Sequence, residues 1–284
     1  MALITNVLFP VDFSSSCIAM APYVKRVATL FDAKVSLLHV FDPSPHGFGG
    51  VFKQGQGTVE QRQDIARHQL NSFLADEFAV SQHQRIFATG DAATQIMHVA
   101  RNGFDLVVMP THAGTFRREL LGSTTAKVLA DADRPVLTSK HAQTIARRPL
   151  EHRECVCAVN LDADSERVLR FAHKAATEAG LELHIVHSIQ LTDPSVPILV
   201  EDDEQPPSSA TLLARQRITD LQKKIGSDAP VHVVLGSIKA ALIEVVRKVN
   251  ADVLMVGRSS QFSQAGSDSN YSIAMDSPCP LMSI

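Results

Sequence analysis

Short, continuously apolar runs alternate along this chain with longer segments whose apolar residues recur at helical spacing. Runs of five or six apolar residues without polar alternation predict strands buried on both faces of a parallel sheet, and the helical segments between them supply the covering layers. In the first half the pattern predicts strands over 4–11, 35–41, 84–88, 105–110 and 135–138, with helices over 15–31, 58–80, 92–102 and 123–132. In the second half it predicts strands over 154–160, 183–188, 231–234, 252–257 and 280–283, with helices over 164–179, 208–226 and 238–249. Ser14, Ser15 and Ser16 offer N-caps for the first helix, Pro22 inside it removes a backbone donor and predicts a bend, and Gly103 ends the third.

The two halves read alike. The run Val7-Leu8-Phe9-Pro10-Val11-Asp12, a helix-length stretch and Val35-Ser36-Leu37-Leu38-His39-Val40 are answered by Cys155-Val156-Cys157-Ala158-Val159-Asn160, a second such stretch and Leu183-His184-Ile185-Val186-His187. Gly90, Asp105 and Pro135 correspond to Gly236, Asp252 and Pro280, at offsets of 146, 147 and 145 residues. Such spacing across several units indicates an internal duplication. The expected fold is therefore α/β, built as two tandem parallel-sheet domains over 1–140 and 154–284.

At 284 residues each half is long enough to close its own core. A formal charge of −3 with mixed signs along the chain excludes a general nucleic-acid or membrane binder, which needs a concentrated basic field. No apolar run approaches the roughly 20 residues needed to cross a bilayer, and Pro10 and Asp12 interrupt the first one, so the expected location is the cytoplasm. Cys17, Cys155, Cys157 and Cys279 have neither metal-ligand nor CxxC spacing and read as buried free thiols. The polar stretch from Lys140 to Arg153 is the linker, and the run Glu201-Asp202-Asp203-Glu204 reads as a solvated loop.

Ligands of open parallel sheets bind beyond the carboxyl ends of the strands, where the strand order reverses. Asp12 stands directly after the first strand, where its carboxylate either accepts from a base amino group or ribose hydroxyl or shares the capping of the first helix. The segment Thr111-His112-Ala113-Gly114-Thr115-Phe116-Arg117-Arg118-Glu119-Leu120-Leu121-Gly122-Ser123-Thr124-Thr125 carries the stronger signal. A glycine and three hydroxyl residues at a helix start direct backbone donors, the positive helix end and side-chain hydroxyls at one point, which suits a phosphate.

In combination, Pro10-Val11-Asp12-Phe13-Ser14, Leu37-Leu38-His39-Val40, Met109-Pro110-Thr111-His112 and Leu120-Leu121-Gly122-Ser123 resemble the universal stress protein family, here as a tandem pair. The resemblance is strong in the first copy and weak in the second. It implies two five-stranded parallel α/β sandwich domains of the adenine nucleotide alpha hydrolase type and an ATP site, with or without Mg, in the first. That site would comprise Pro10, Asp12, Val40, Met109, Gly114, Gly122, Ser123 and Thr124, with Asp12 near the adenosine, Val40 against the adenine, and Gly122, Ser123 and Thr124 on the phosphates. Nucleotide-binding members carry Gly-x2-Gly-x9-Gly-Ser/Thr. Here Pro110 and Ala113 stand where the first two glycines belong, Gly114 comes one place late, and proline brings no amide donor.

The second copy has Asn160 in place of Asp12, keeps Gly257, and from Arg258 to Tyr271 offers only Gly266 and scattered serines, so it is expected to bind nucleotide poorly or not at all. The resemblance also implies pairing through the final strands, Val136-Leu137-Thr138 against Leu281-Met282-Ser283, and leaves a homodimer open. The sequence therefore suggests a nucleotide-binding stress or signalling protein. A nucleotide-independent scaffold is the alternative, and an enzyme ranks last. No Gly-x4-Gly-Lys loop, Ser-Gly-Gly-x-Asp-Ser loop or cluster of histidines and carboxylates supports catalysis, and slow ATP hydrolysis is the one activity left open.

Overall fold

The computed structural model describes residues 2–44, 57–111, 122–140, 153–190, 198–199, 208–258 and 270–284. The chain forms two compact units, Met1–Leu150 and Glu151–Ile284. In the first, β1 (Asn6–Pro10), α1 (Ser15–Phe31), β2 (Lys34–Phe41), α2 (Val59–Ser72), β3 (Arg85–Thr89), α3 (Ala92–Arg101), β4 (Leu106–Pro110), α4 (Ser123–Asp131) and β5 (Val136–Ser139) alternate. The strands lie in the order β3-β2-β1-β4-β5 and all pair in parallel. The order reverses between β1 and β4, which sets the switch point there.

The second unit has β6 (Glu154–Ala158), α5 (Ser165–Ala179), β7 (Glu182–Ile189), β8 (Ile198–Leu199), α6 (Ser209–Ile225), β9 (Val231–Leu235), α7 (Ile238–Lys248), β10 (Val253–Val256), α8 (Asn270–Asp276) and β11 (Leu281–Ser283). Its parallel strands repeat the order as β9-β7-β6-β10-β11, with β8 added antiparallel outside β9. The α/β class and the twofold plan expected from the sequence are both present. Among the described residues no helix is long and apolar enough to cross a membrane.

The central strands are apolar because both faces are covered. Val7, Leu8 and Phe9 of β1 and Leu106, Val107 and Val108 of β4 are buried, as are Cys155, Val156 and Cys157 of β6. All four cysteines are buried and free, as expected. The spacing landmarks of the duplication are structural pieces. Asp105 Oδ2 accepts from the Thr5 amide at 2.9 Å, the Thr5 hydroxyl at 2.8 Å and the Asn6 amide at 3.1 Å, fastening the start of β1. Asp252 Oδ2 does the same for β6, accepting from the Arg153 and Glu154 amides at 2.8 and 3.3 Å. The Pro135 and Pro280 carbonyls accept from the Val107 and Leu254 amides. Gly90 and Gly236 take φ of +130° and +142°, which only glycine adopts readily.

Two expectations differ. Helix α2 ends at Ser72 instead of reaching 80, because Phe73 turns to an extended conformation with ψ 127° and Leu74 after it takes φ +53°. Leu74 and Phe78 still fall four apart and are both buried, Phe78 against Phe9 with ring centroids 6.1 Å apart, so the pattern mimics a continuing helix. Helix α1 spans Ser15–Phe31 with Pro22 inside it and Ser14 as its N-cap, the span and cap that the sequence predicts. Both β8 and α8 lie in stretches read as loop, where their few residues are too short to show a period. The proposed linker beyond Lys140 as far as His152, and the acidic run, lie outside the described residues.

Candidate functional site

The residues singled out by sequence come from three strand ends and one helix start. Pro10 closes β1 opposite Leu38, and Val40 is the half-buried penultimate residue of β2. Met109 and Pro110 close β4. The β1–β4 ladder holds at Val7 with Leu106 and Leu8 with Val107 and goes no further, so the two strands part before their carboxyl ends. A proline at position 110 is tolerated there because its missing donor is not needed by β1.

Two hydrogen bonds fasten α4 to the end of β4. The Gly122 amide donates to the Thr111 carbonyl at 2.9 Å, and the Thr125 hydroxyl donates to the Pro110 carbonyl at 3.2 Å. Gly122, exposed Ser123 and half-buried Thr124 therefore stand at the same sheet edge as Met109. Helices α1, α2 and α3 each receive an N-cap oxygen, from Ser14, Thr58 and Asp91. Gly122 has no side chain to do this, and α4 has no side-chain cap. Its φ of −58° is open to any residue, so its backbone conformation does not require glycine. Gly114 and His112 lie outside the described residues.

Asp12 follows β1 on a tight turn in which Phe13 takes φ +64°. Its Oδ1 accepts from the Ser14 amide at 3.0 Å and from the Cys17 thiol at 3.1 Å. The Ser14 hydroxyl in turn accepts from the Cys17 amide, so Ser14 caps α1 while Asp12 closes the turn before it. Burial, and after it the charge of Asp12, pushes the Cys17 thiol far above its ordinary value and keeps it protonated. His39, buried on β2, donates from Nδ1 to the Val11 carbonyl at 2.8 Å and stacks on Phe13 with centroids 4.2 Å apart. Burial lowers the His39 pKa although that hydrogen bond works upward, so the ring is held neutral. Sequence reasoning missed Cys17 and His39 as neighbours of Asp12. Only the quoted Leu37-Leu38-His39-Val40 run and the position of Cys17 one turn into α1 hinted at them.

The second copy repeats the frame with different chemistry. His187 Nδ1 donates to the Val159 carbonyl at 2.8 Å, and Leu161 takes φ +60° where Phe13 takes +64°. Asn160 stands for Asp12, and the Ser165 hydroxyl, in the place of Cys17, donates to Asp162 Oδ1 at 2.9 Å. A shallow open depression lies at this edge, lined by Asn160, Asp162, Asp164, Ser165, Val168 and Gly257 among others. A Cβ on Gly257 would lie 2.8 Å from Val168 Cγ2, so this glycine is needed for packing against α5. Among the described residues no group of three or more histidines, cysteines and carboxylates could hold a metal ion.

The fold is shared with solved structures over almost its whole length. A universal stress protein from Archaeoglobus fulgidus DSM 4304 is 20% identical, covers 98% of this chain and 97% of its own, and has a TM-score of 0.69. A functionally unknown protein from Pseudomonas aeruginosa PAO1 is 16% identical, covers 99% of this chain and 92% of its own, and has a TM-score of 0.60. No curated protein matches the chain. The sequence pattern of the Universal stress protein family matches twice, over residues 4–140 and 151–284, and the chain therefore belongs to that family, with the family's unit present in tandem.

Proposed function

We propose that the first domain binds ATP, alone or with Mg, at the carboxyl edge of β1, β2 and β4. Asp12 and Val40 meet the adenosine, Gly122, Ser123 and Thr124 meet the phosphates, and Pro10, Met109 and Gly114 complete the lining. Occupancy then shifts the conformation or partner choice of the tandem pair in stress response or signalling. The observation that supports this reading is the start of α4. It has no side-chain cap, unlike α1, α2 and α3, and Gly122 and Thr125 tie it to the end of β4 beside the switch point. The amides of its first turn and the positive helix end suit an anion.

A nucleotide-independent scaffold is the second reading, favoured by one observation. The Gly122 amide is already committed to the Thr111 carbonyl, and Pro110 has no amide to give. Thermal unfolding with ATP, with AMP and without ligand separates the two. ATP at about 100 times its dissociation constant should stabilise the fold by about 2.7 kcal/mol. Gly122→Val should abolish the shift. Its backbone angles accept valine, so the loss would come from the side chain filling the phosphate position. No shift with either nucleotide would leave the scaffold reading.

The second domain, in this proposal, binds nucleotide poorly and serves as a partner surface. Each final strand, β5 or β11, ends its own unit's strand order. Pairing of Val136–Thr138 with Leu281–Ser283 predicts slow amide exchange at both strands, and fast exchange there would contradict it.

A further inference from the structure

Asp12 is held from one side only. Its Oδ1 receives both the Ser14 amide at 3.0 Å and the Cys17 thiol at 3.1 Å, while Oδ2 has no hydrogen bond among the described residues. An Asx turn alone fixes one donor against one oxygen and leaves the carboxylate free to rotate about its last bond. A second donor from α1 on the same oxygen removes that freedom. The donor is well placed, because Cys17 is buried, its own amide is fixed by the Ser14 hydroxyl, and its sulfur has no other acceptor among the described residues. In the second copy the corresponding residue, Ser165, donates to Asp162 and leaves Asn160 without it.

We propose that Cys17 is a positioning residue of the nucleotide site, whose thiol locks Asp12 Oδ1 against α1 and so presents Oδ2 to the adenosine. This rests on the ATP reading above. The carboxylate is then ordered before ligand arrives, and binding need not pay for freezing it. The thiol works as a hydrogen-bond donor and takes part in no bond-making step.

The test is ATP titration by calorimetry of the full chain as wild type, Cys17→Ala, Cys17→Ser, Asp12→Ala and the double variant Asp12→Ala/Cys17→Ala. Cys17→Ala should weaken ATP about fivefold, of the order of one hydrogen bond. Cys17→Ser keeps a donor and should recover most of that affinity. In the Asp12→Ala background the Cys17→Ala step should cost less than about twofold, because a residue acting only through Asp12 has nothing left to act on. Equal losses in both backgrounds, or wild-type affinity in Cys17→Ala, would overturn the positioning role while leaving the ATP site intact. A wild type that binds no ATP overturns the site and its positioning residue together. Thermal unfolding of each variant without ligand separates these outcomes from loss of fold.

Discussion

The two copies agree in their frame and disagree in their chemistry. Asp105 and Asp252 fasten the first strand of each unit, Pro135 and Pro280 accept from the fourth, and His39 and His187 brace the carbonyl that ends the first-strand segment. The turns at Phe13 and Leu161 share one left-handed conformation. Around this frame Asp12 becomes Asn160, Cys17 becomes Ser165 and Pro110 becomes Gly257, while the register positions of Asn6, Ser36 and Ile86 hold Glu154, His184 and His232. Backbone demands are the same in both units and fix the frame residues. The side chains at the carboxyl edge face no common demand, so duplication preserves the fold without preserving the residues at that edge.

The largest effect expected from breaking this equivalence is at the aspartate clamps. Burial works against the charged form of Asp105, but its hydrogen bonds from Thr5 and Asn6 outweigh it and hold the carboxyl below its ordinary value. Asp105→Ala should cost the first unit about 2 kcal/mol, the scale of hydrogen bonds to a charged group. Asp252→Ala should cost the second unit less, because two donors replace three. The chain has two tyrosines, Tyr23 in the first copy and Tyr271 in the second, so tyrosine-selective NMR during urea unfolding reads the units separately. Since the folded carboxyl of Asp105 binds its proton later than the unfolded one, its contribution is present above about pH 4 and is lost as pH falls through its lower folded value. Equal losses in the two units, or no loss at all, would break the comparison.

A smaller effect should come from the paired histidines. Burial lowers the His39 and His187 pKa values, against the upward pull of their carbonyl partners, so the folded chain resists protons that the unfolded chain takes up near pH 6.5. Stability from these rings is present above that pH and declines as pH falls toward the folded values. His39→Asn and His187→Asn should each flatten the fall of melting temperature between pH 7.5 and 5.5, in the first and second units respectively. An unchanged slope in both would show that neither ring is held neutral by the fold.

The sequence made the frame legible because buried parallel strands leave unbroken apolar runs and because the clamps recur at nearly constant offsets. It made the site legible only in part. Asp12 and the Ser123-Thr124-Thr125 start could be named from strand and helix positions. The Cys17 bond to Asp12 could not, since it spans five residues across a turn whose shape depends on Phe13 at positive φ. Glycines play different parts in the two copies. Gly122 could be named from its place at a helix start and takes ordinary backbone angles, whereas the packing of Gly257 against Val168 left no mark in the sequence. Composition cannot separate these cases because each glycine answers to a neighbour distant in sequence.

The same limit hid the cluster that only the second copy has. Register places His184 opposite Val156 and His232 opposite Val186, so residues 154, 184 and 232 meet although no spacing announces them. His184 Nε2 lies 2.9 Å from Glu154 Oε2, and its Nδ1 lies 3.1 Å from His232 Nε2. A carboxylate only accepts, so His184 donates from Nε2, and in the neutral ring its Nδ1 accepts from His232. All three side chains are partly exposed, and such polar chains are worth little each but couple to one another. Replacing the trio with the first copy's residues, Glu154→Asn, His184→Ser and His232→Ile, should therefore change the stability of the second unit at pH 8 by less than about 1 kcal/mol. The double-mutant coupling between Glu154 and His184 should be about 0.5 kcal/mol and favourable. A coupling of zero would mean that the chain orders these groups without using them, and a value several times larger would mean that the trio is a structural fastening that the first unit does without.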